Sequence, residues 1–431
     1  MTRDLLSDLL HGVYRDPDSG AIVDPGVRSI IIADDVRARA CTLVQNLAPG
    51  KKLAMVSDAT TQKVLGAYLE HTLAGRFTLQ SIMLPADPHA DQATLEAIEG
   101  GLDSDADALI AVGSGTINDL CKAAAARTGR PYAVFGTAPS MNGYTSATAS
   151  ITMAGLKTSL GARAPLGVFL DVEILADAPP RMIHAGLAEC LARSTAQADW
   201  LLAHLLLDQP YRAAPFDLVA DDEAAVVAGA GGLAIRDMKV MTRLARTLVL
   251  SGIGMAIAGS SNPASQGEHL ISHCIDMLRP GDQIAPFHGE QIAVAMLFMA
   301  ELQERILGRD KPPRLAATIT GKDEVMGHFG PQLGELCWQE FAHKRLTAAR
   351  AEELNSRLND RWPAIRQTIL EVTRPAAVLR SVLEQAGAPT RPADLDWTEE
   401  QYRQACWHAR EIRNRYTFLD LAGDAGLLAA D

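Results

Sequence analysis

Ala108-Leu-Ile-Ala-Val-Gly-Ser-Gly-Thr-Ile-Asn-Asp119 joins a short, fully apolar run to a glycine-rich turn and the opening of a helix. A run this short and apolar reads as a strand buried on both faces, which is the condition of a parallel sheet. The same rhythm recurs around it. Leu53–Ser57 is an apolar strand ending before Asp58, followed by a helical pattern over 61–73. Phe77–Leu84 is the next strand, and Ala93–Glu99 reads as a helix closed by Gly100. The helical segment after Gly115 runs to Ala126, and Tyr132–Phe135 is a fourth strand. This alternation predicts a Rossmann-like parallel sheet with its ligand site at the carboxyl ends of the strands.

From Pro179 onward the periodicity becomes helical. The pattern predicts helices at 184–206, 222–258, 266–277, 289–307, 332–358, 363–387 and 398–416, with prolines such as Pro210, Pro280 and Pro389 between them. The expected architecture is therefore an α/β NAD(P)-binding domain over 1–178 and an all-helical metal-binding domain over 179–431. The active site is expected in the cleft between them.

Composition narrows the function. The 431 residues exceed what one core usually serves, and 48 % of them are apolar. A net charge of −12 excludes the basic footprint that nucleic acid requires. Six scattered cysteines (41, 121, 190, 274, 337 and 406) with no C-x-x-C pair read as reduced thiols rather than a disulfide framework. No apolar run suits a signal peptide, and none reaches membrane-spanning length without a charge. A soluble, cytoplasmic protein with no membrane partner is expected.

Two adjacent loops carry the nucleotide reading. Gly113 through Asp119 has the geometry of a phosphate cradle, in which glycines admit a phosphate to the free N–H groups of a helix start. It is neither G-x-G-x-x-G, since Asn118 holds the sixth position, nor a Walker loop. The second loop, Gly136-Thr-Ala-Pro-Ser-Met-Asn-Gly-Tyr-Thr-Ser146, is rich in hydroxyls around an Asn142-Gly143 turn. Either loop alone could be an ordinary tight turn. Asp58 has two readings, an acceptor for a ribose hydroxyl or a helix N-cap before Ala59-Thr60-Thr61.

The chemistry is carried by Ser265-Gln-Gly-Glu-His-Leu-Ile-Ser-His273. Ser265 and Glu268 fit a capping box, and His269 and His273 then lie one turn apart on a single face. His288 opens the next helical run, and Glu189 stands alone among apolar neighbours. Two imidazoles and a carboxylate with one position open are a catalytic divalent-metal set. His184, His204, His328, His343 and His408 lack any companion in the sequence and read as partnered core or surface residues.

Taken together, GSGTIND, TAPSMNGYTS, PASQGEHLISH and HG resemble the sn-glycerol-1-phosphate dehydrogenases, especially their bacterial branch. These sit in the superfamily of iron-containing alcohol dehydrogenases and dehydroquinate synthases. The resemblance implies that Gly113 and Gly115, Thr116, Ile117, Asn118 and Asp119 hold the cofactor pyrophosphate. It implies further NAD or NADP contacts at Thr137, Ala138, Pro139, Ser140 and Ser146. His269 and His288 match metal ligands, Glu189 stands at a ligand position normally Asp, and His273 and Asn142 match substrate contacts, the latter normally Asp. Lys157 adds a cation for a substrate phosphate. The implied activity interconverts dihydroxyacetone phosphate and sn-glycerol 1-phosphate, for phospholipid biosynthesis. It would use one divalent ion (zinc, nickel or iron) in a homodimer or larger homo-oligomer. Two alternatives remain open, a dehydroquinate-synthase-like lyase or cyclase that uses NAD transiently, and a non-catalytic nucleotide-binding relative.

Overall fold

The computed structural model describes residues 4–153, 156–279 and 286–428. Six parallel strands form one sheet in the order β1-β8-β5-β4-β2-β3: β1 Ser29–Ala33, β2 Lys52–Asp58, β3 Thr78–Leu84, β4 Ala108–Gly113, β5 Tyr132–Gly136 and β8 Gly167–Asp171. β4, β5 and β8 are buried along their whole lengths, as strands covered on both faces must be. Register pairs Gly113 with Gly136, so the two glycine-bearing loops leave the sheet side by side. The four expected strands are present within a residue or two. β1, β8 and the antiparallel ribbon β6 (Thr148–Met153) with β7 (Leu156–Gly161) are additions. The Thr/Ser-rich alternation of β6 carries no apolar run to announce it.

Contacts divide the chain into two units, Met1–Cys190 with Ala213–Ser260, and Leu191–Arg212 with Ser261–Asp431. This differs from a cut at 178. Helices Ala214–Ala228 and Met238–Ala258 belong with the sheet, where Thr145 Oγ1 donates to Val249 O at 2.7 Å. Helical periodicity shows that a face is buried and is silent about which layer it covers. Met238–Ala258 is long and apolar enough to cross a membrane by length and composition, yet 56 % of the window concerned is buried within the protein.

The second unit is all-helical among the described residues. Its core gathers Leu270, Ile271 and Cys274 with Trp362, Phe341 and Phe418. Each such aliphatic or aromatic side chain contributes about 1.5–3 kcal/mol on full burial. Helix boundaries here depart from expectation. The segment 184–206 is two helices, Pro180–Leu191 and Arg193–Leu207, and 222–258 is three. The segments expected at 332–358 and 363–387 are divided instead at 343–347 and 371–375. Pro331 and Pro363 lie inside helices Lys322–Ala342 and Ala348–Leu370, the former kinked at Gly330 with φ 73°. Pro280 falls outside the described residues.

Candidate active site

In the sheet unit, helix Gly115–Thr128 springs from the end of β4, with Ser114 as its N-cap making no side-chain cap bond. A Cβ on Gly113 would meet the Ile117 side chain at 2.7 Å, so the turn needs glycine there. The N–H groups of Gly115, Thr116 and Ile117 have no carbonyl of their own helix to bond, which leaves them for an anion. Asn118 and Asp119 turn inward instead. Asn118 Nδ2 donates to Asp119 Oδ1 at 3.1 Å, and Asp119 Oδ2 accepts from Ser150 N at 3.0 Å.

The second loop is built against that helix. Ser114 and Ser140 bond through their hydroxyls, Tyr144 Oη donates to Ala138 O at 2.7 Å, and Thr137 N donates to Gly113 O at 3.2 Å. Lys122, one helical turn past Asp119 and wholly buried, donates to Gly143 O, Ser146 Oγ and Thr148 O at 2.6–3.0 Å. Burial pushes its ammonium below the usual range, opposed by the Asp119 charge. Sequence reading passed over Lys122; its spacing of three from Asp119 was the available signal. Ser146 is thus engaged by the protein through its hydroxyl. Asp58 takes the N-cap alternative, accepting from Thr60 N and Thr61 N at 2.7 and 2.8 Å. Lys157 lies on β7 opposite Thr152.

Two glycines press helices onto the second loop. A Cβ on Gly186 would sit 1.7 Å from Pro139 O, and one on Gly252 would sit 2.2 Å from Thr145 Oγ1. The first approach brings Glu189, 6 % exposed, beside Asn142, whose Nδ2 donates to Glu189 Oε2 at 3.2 Å.

In the helical unit, His269 and His273 lie on helix Gly267–Leu278 and His288 begins helix His288–Leu307. The rings of His269 and His288 have centroids 5.1 Å apart, and His273 stacks on His288 at 5.4 Å and 17°. Metal–nitrogen bonds of about 2.0–2.1 Å place two imidazoles sharing an ion at about this separation. Hydrogen bonds fix both tautomers. His269 Nδ1 donates to Glu268 Oε1 at 2.9 Å, and Gln266 N donates to the same oxygen at 2.8 Å. Ser272 Oγ spends its proton on Gln291 Oε1 at 2.9 Å, so at 3.2 Å it accepts from His288 Nδ1. Gln291 is itself oriented by donating to Asp276 Oδ1 and Pro286 O, both at 3.2 Å. Each ring therefore presents Nε2 as the ligating atom, the usual arrangement of metal-binding histidines. Glu268, Ser272 and Gln291 were not foreseen as site residues.

The capping box expected at Ser265 is displaced by one residue. The N-cap is Gln266, with no side-chain cap bond of its own, and Glu268 reaches back to the Gln266 amide. Ser265 instead accepts from Arg415 Nη1 at 3.1 Å. In the C-terminal segment Arg410 is buried and Arg415 half-buried. Burial lowers Arg415 to about 10, and Arg410 donates to Asp424 at 2.6 Å. Behind the histidines, wholly buried Asp199 accepts from Gly267 N and Phe418 N, both at 2.9 Å. Burial first, then the Glu268 charge, raise its carboxyl to about 8.

Residues 31–179 match the family described as iron-containing alcohol dehydrogenase. The glycerol-1-phosphate dehydrogenase [NAD(P)+] of Halalkalibacterium halodurans is 32 % identical over 85 % of this chain and 85 % of its own. That of Bacillus licheniformis is 28 % identical over 93 % and 90 % of the two chains. Among solved structures, a probable glycerol dehydrogenase from Sinorhizobium meliloti 1021 aligns with TM-score 0.60 at 16 % identity, covering 93 % of this chain and 96 % of that one. That likeness shows the fold. The sequence relatives show more: the chain belongs to the glycerol-1-phosphate dehydrogenase family, among the iron-containing alcohol dehydrogenases.

Proposed function

We propose that this protein is a metal-dependent, NAD(P)-linked oxidoreductase that interconverts dihydroxyacetone phosphate and sn-glycerol 1-phosphate. The observation that carries the reading is the pair His269 and His288, rings 5.1 Å apart with both Nδ1 atoms held by hydrogen bonds. Glu189 is assigned to the same ion as its carboxylate ligand, since two imidazoles with a carboxylate suit zinc, nickel or iron. A bound divalent ion supplies Lewis acidity at the reacting oxygen, worth several kcal/mol to a developing alkoxide. NAD(P), held by the two glycine-bearing loops, would supply the hydride donor or acceptor.

The side chains do the rest. The N–H groups of Gly115, Thr116 and Ile117 would hold the pyrophosphate, with Thr137, Ala138, Pro139 and Ser140 as further cofactor contacts. Asn142 orients the Glu189 carboxylate and offers its carbonyl oxygen to a substrate hydroxyl. His273, stacked on His288, accepts the hydroxyl proton in oxidation and returns it in reduction. Lys157 would supply a cation for the phosphate, and Asp58, whose Oδ1 caps the helix, would turn Oδ2 to a ribose hydroxyl. The protein works in the cytoplasm as a dimer or larger homo-oligomer.

Oxidation of NADH or NADPH on addition of dihydroxyacetone phosphate, followed at 340 nm after loading with zinc, nickel or iron, tests the reading. Stoichiometric NAD(P)H consumption is expected. A metal-loaded protein that consumes none with any of the three ions contradicts it.

A further inference from the structure

His328 and His408, read from sequence as solitary, meet at Glu411. His328 lies on helix Lys322–Ala342, His408 ends helix Glu399–His408, and Glu411 follows in a short 3-10 turn. The ring centroids are 3.6 Å apart. His328 Nδ1 donates to Glu411 Oε2 at 2.8 Å, and His408 Nδ1 donates to Glu411 Oε1 at 3.0 Å. We propose that these three residues are a second divalent transition-metal site, of zinc class, separate from the dehydrogenase centre.

Three observations support it. The Glu411 side chain is 4 % exposed and, among the described residues, no lysine or arginine lies within ion-pair distance. A buried carboxylate with only imidazoles for partners is costly, and a dication between them removes that cost.

The ligand atoms are also spaced for an ion. One from each residue lies within 4.8 Å of the others. Four-coordinate zinc bonded at about 2.0–2.2 Å sets its ligand atoms about 3.3 Å apart, a few tenths beyond the present hydrogen bonds. Binding therefore spreads the rings from 3.6 Å towards the 5.1 Å separation of His269 and His288. The His328 side chain, 29 % exposed, has room to move.

There is a route in as well. His328 and His408 line a cavity of about 270 Å³ together with Arg279, Trp397 and Gln404. A water drawn from this cavity completes the coordination.

Equilibrium dialysis of the full-length protein against zinc, with bound metal counted by mass spectrometry, tests the proposal. Zinc binding by the parent is compared with His408→Ala, His328→Asn and His269→Ala/His288→Ala. The expected result is one zinc lost, or held at least tenfold more weakly, in His408→Ala and in His328→Asn, with dehydrogenase turnover unchanged. His269→Ala/His288→Ala retains that zinc, so failure of the proposed catalytic centre and failure of this site are separately visible. His328→Asn decides the matter if His408→Ala melts early. Zinc binding by the parent that neither variant diminishes overturns the proposal.

Discussion

Asn142 Nδ2 donates to Glu189 Oε2 at 3.2 Å, tying the second glycine-bearing loop to the helix that carries the one carboxylate of the proposed metal set. An aspartate at 142 would set a second carboxylate there and needs a proton to make the same bond. The amide and the longer acid thus suit one another as a pair. A hydrogen bond to a charged group contributes about 1.5–3 kcal/mol.

Asn142→Asp is expected to destabilise the metal-free protein as pH rises past the usual carboxylate range, because two carboxylates in contact cannot both ionise cheaply. Melting temperatures at pH 5 and pH 8 check this. The deficit should grow at pH 8 and shrink on adding zinc; equal melting of variant and parent at both pH values contradicts the coupling.

Glu268 accepts from His269 Nδ1, from the Gln266 amide and from Thr195 Oγ1. Removing it in Glu268→Ala should weaken metal binding about ten- to a hundredfold, while Glu268→Gln, which keeps an acceptor at Nδ1, should lose much less. Metal dissociation constants for the two variants decide it, and equal losses would show that the acceptor is not what matters.

How much of this was legible beforehand follows from the kind of signal each part leaves. The strands β2 to β5 and the pair His269 and His273 are local patterns of period and spacing, and both were readable. The partners of His288 were not, because Ser272, Gln291 and Asp276 reach it through a chain of contacts between two helices. Beyond its spacing of three from Asp119, nothing local marks Lys122 as the pin of the second loop, since its three acceptors lie 21 to 26 residues away. His328 looked unaccompanied for the same reason, since Glu411 is 83 residues away, whereas His408 has that carboxylate three residues on. The boundaries expected at 332 and 363 fall beside Pro331 and Pro363, which lie inside helices, as a proline can when a kink or its neighbours absorb the lost bond.

Gly186→Ala places a Cβ 1.7 Å from Pro139 O, a backbone atom that no rotamer change can move aside. Overpacking of this kind costs about 1–3 kcal/mol. Urea denaturation should show that loss, and NAD(P) binding should weaken with it as the second loop shifts. A variant with parental stability and cofactor affinity would mean that the helix and loop are not in firm contact.

Asp199 gives a pH signature. Its folded-state carboxyl is raised to about 8 from an ordinary value of 3.8. The folded protein therefore holds a proton that the unfolded chain releases, and the stability this contributes is complete below about pH 4 and lost as pH rises through about 8. Asp199→Asn, which mimics the protonated form, should lose less stability than the parent between pH 5 and pH 9. Parallel stability curves would contradict the assignment.

The most direct measurement is anomalous diffraction at the zinc edge from crystals of the zinc-loaded protein. The account predicts an ion bonded at about 2.0–2.2 Å to a Glu189 oxygen and to Nε2 of both His269 and His288. An ion held by the histidines without Glu189, or no ion at these residues, would contradict it.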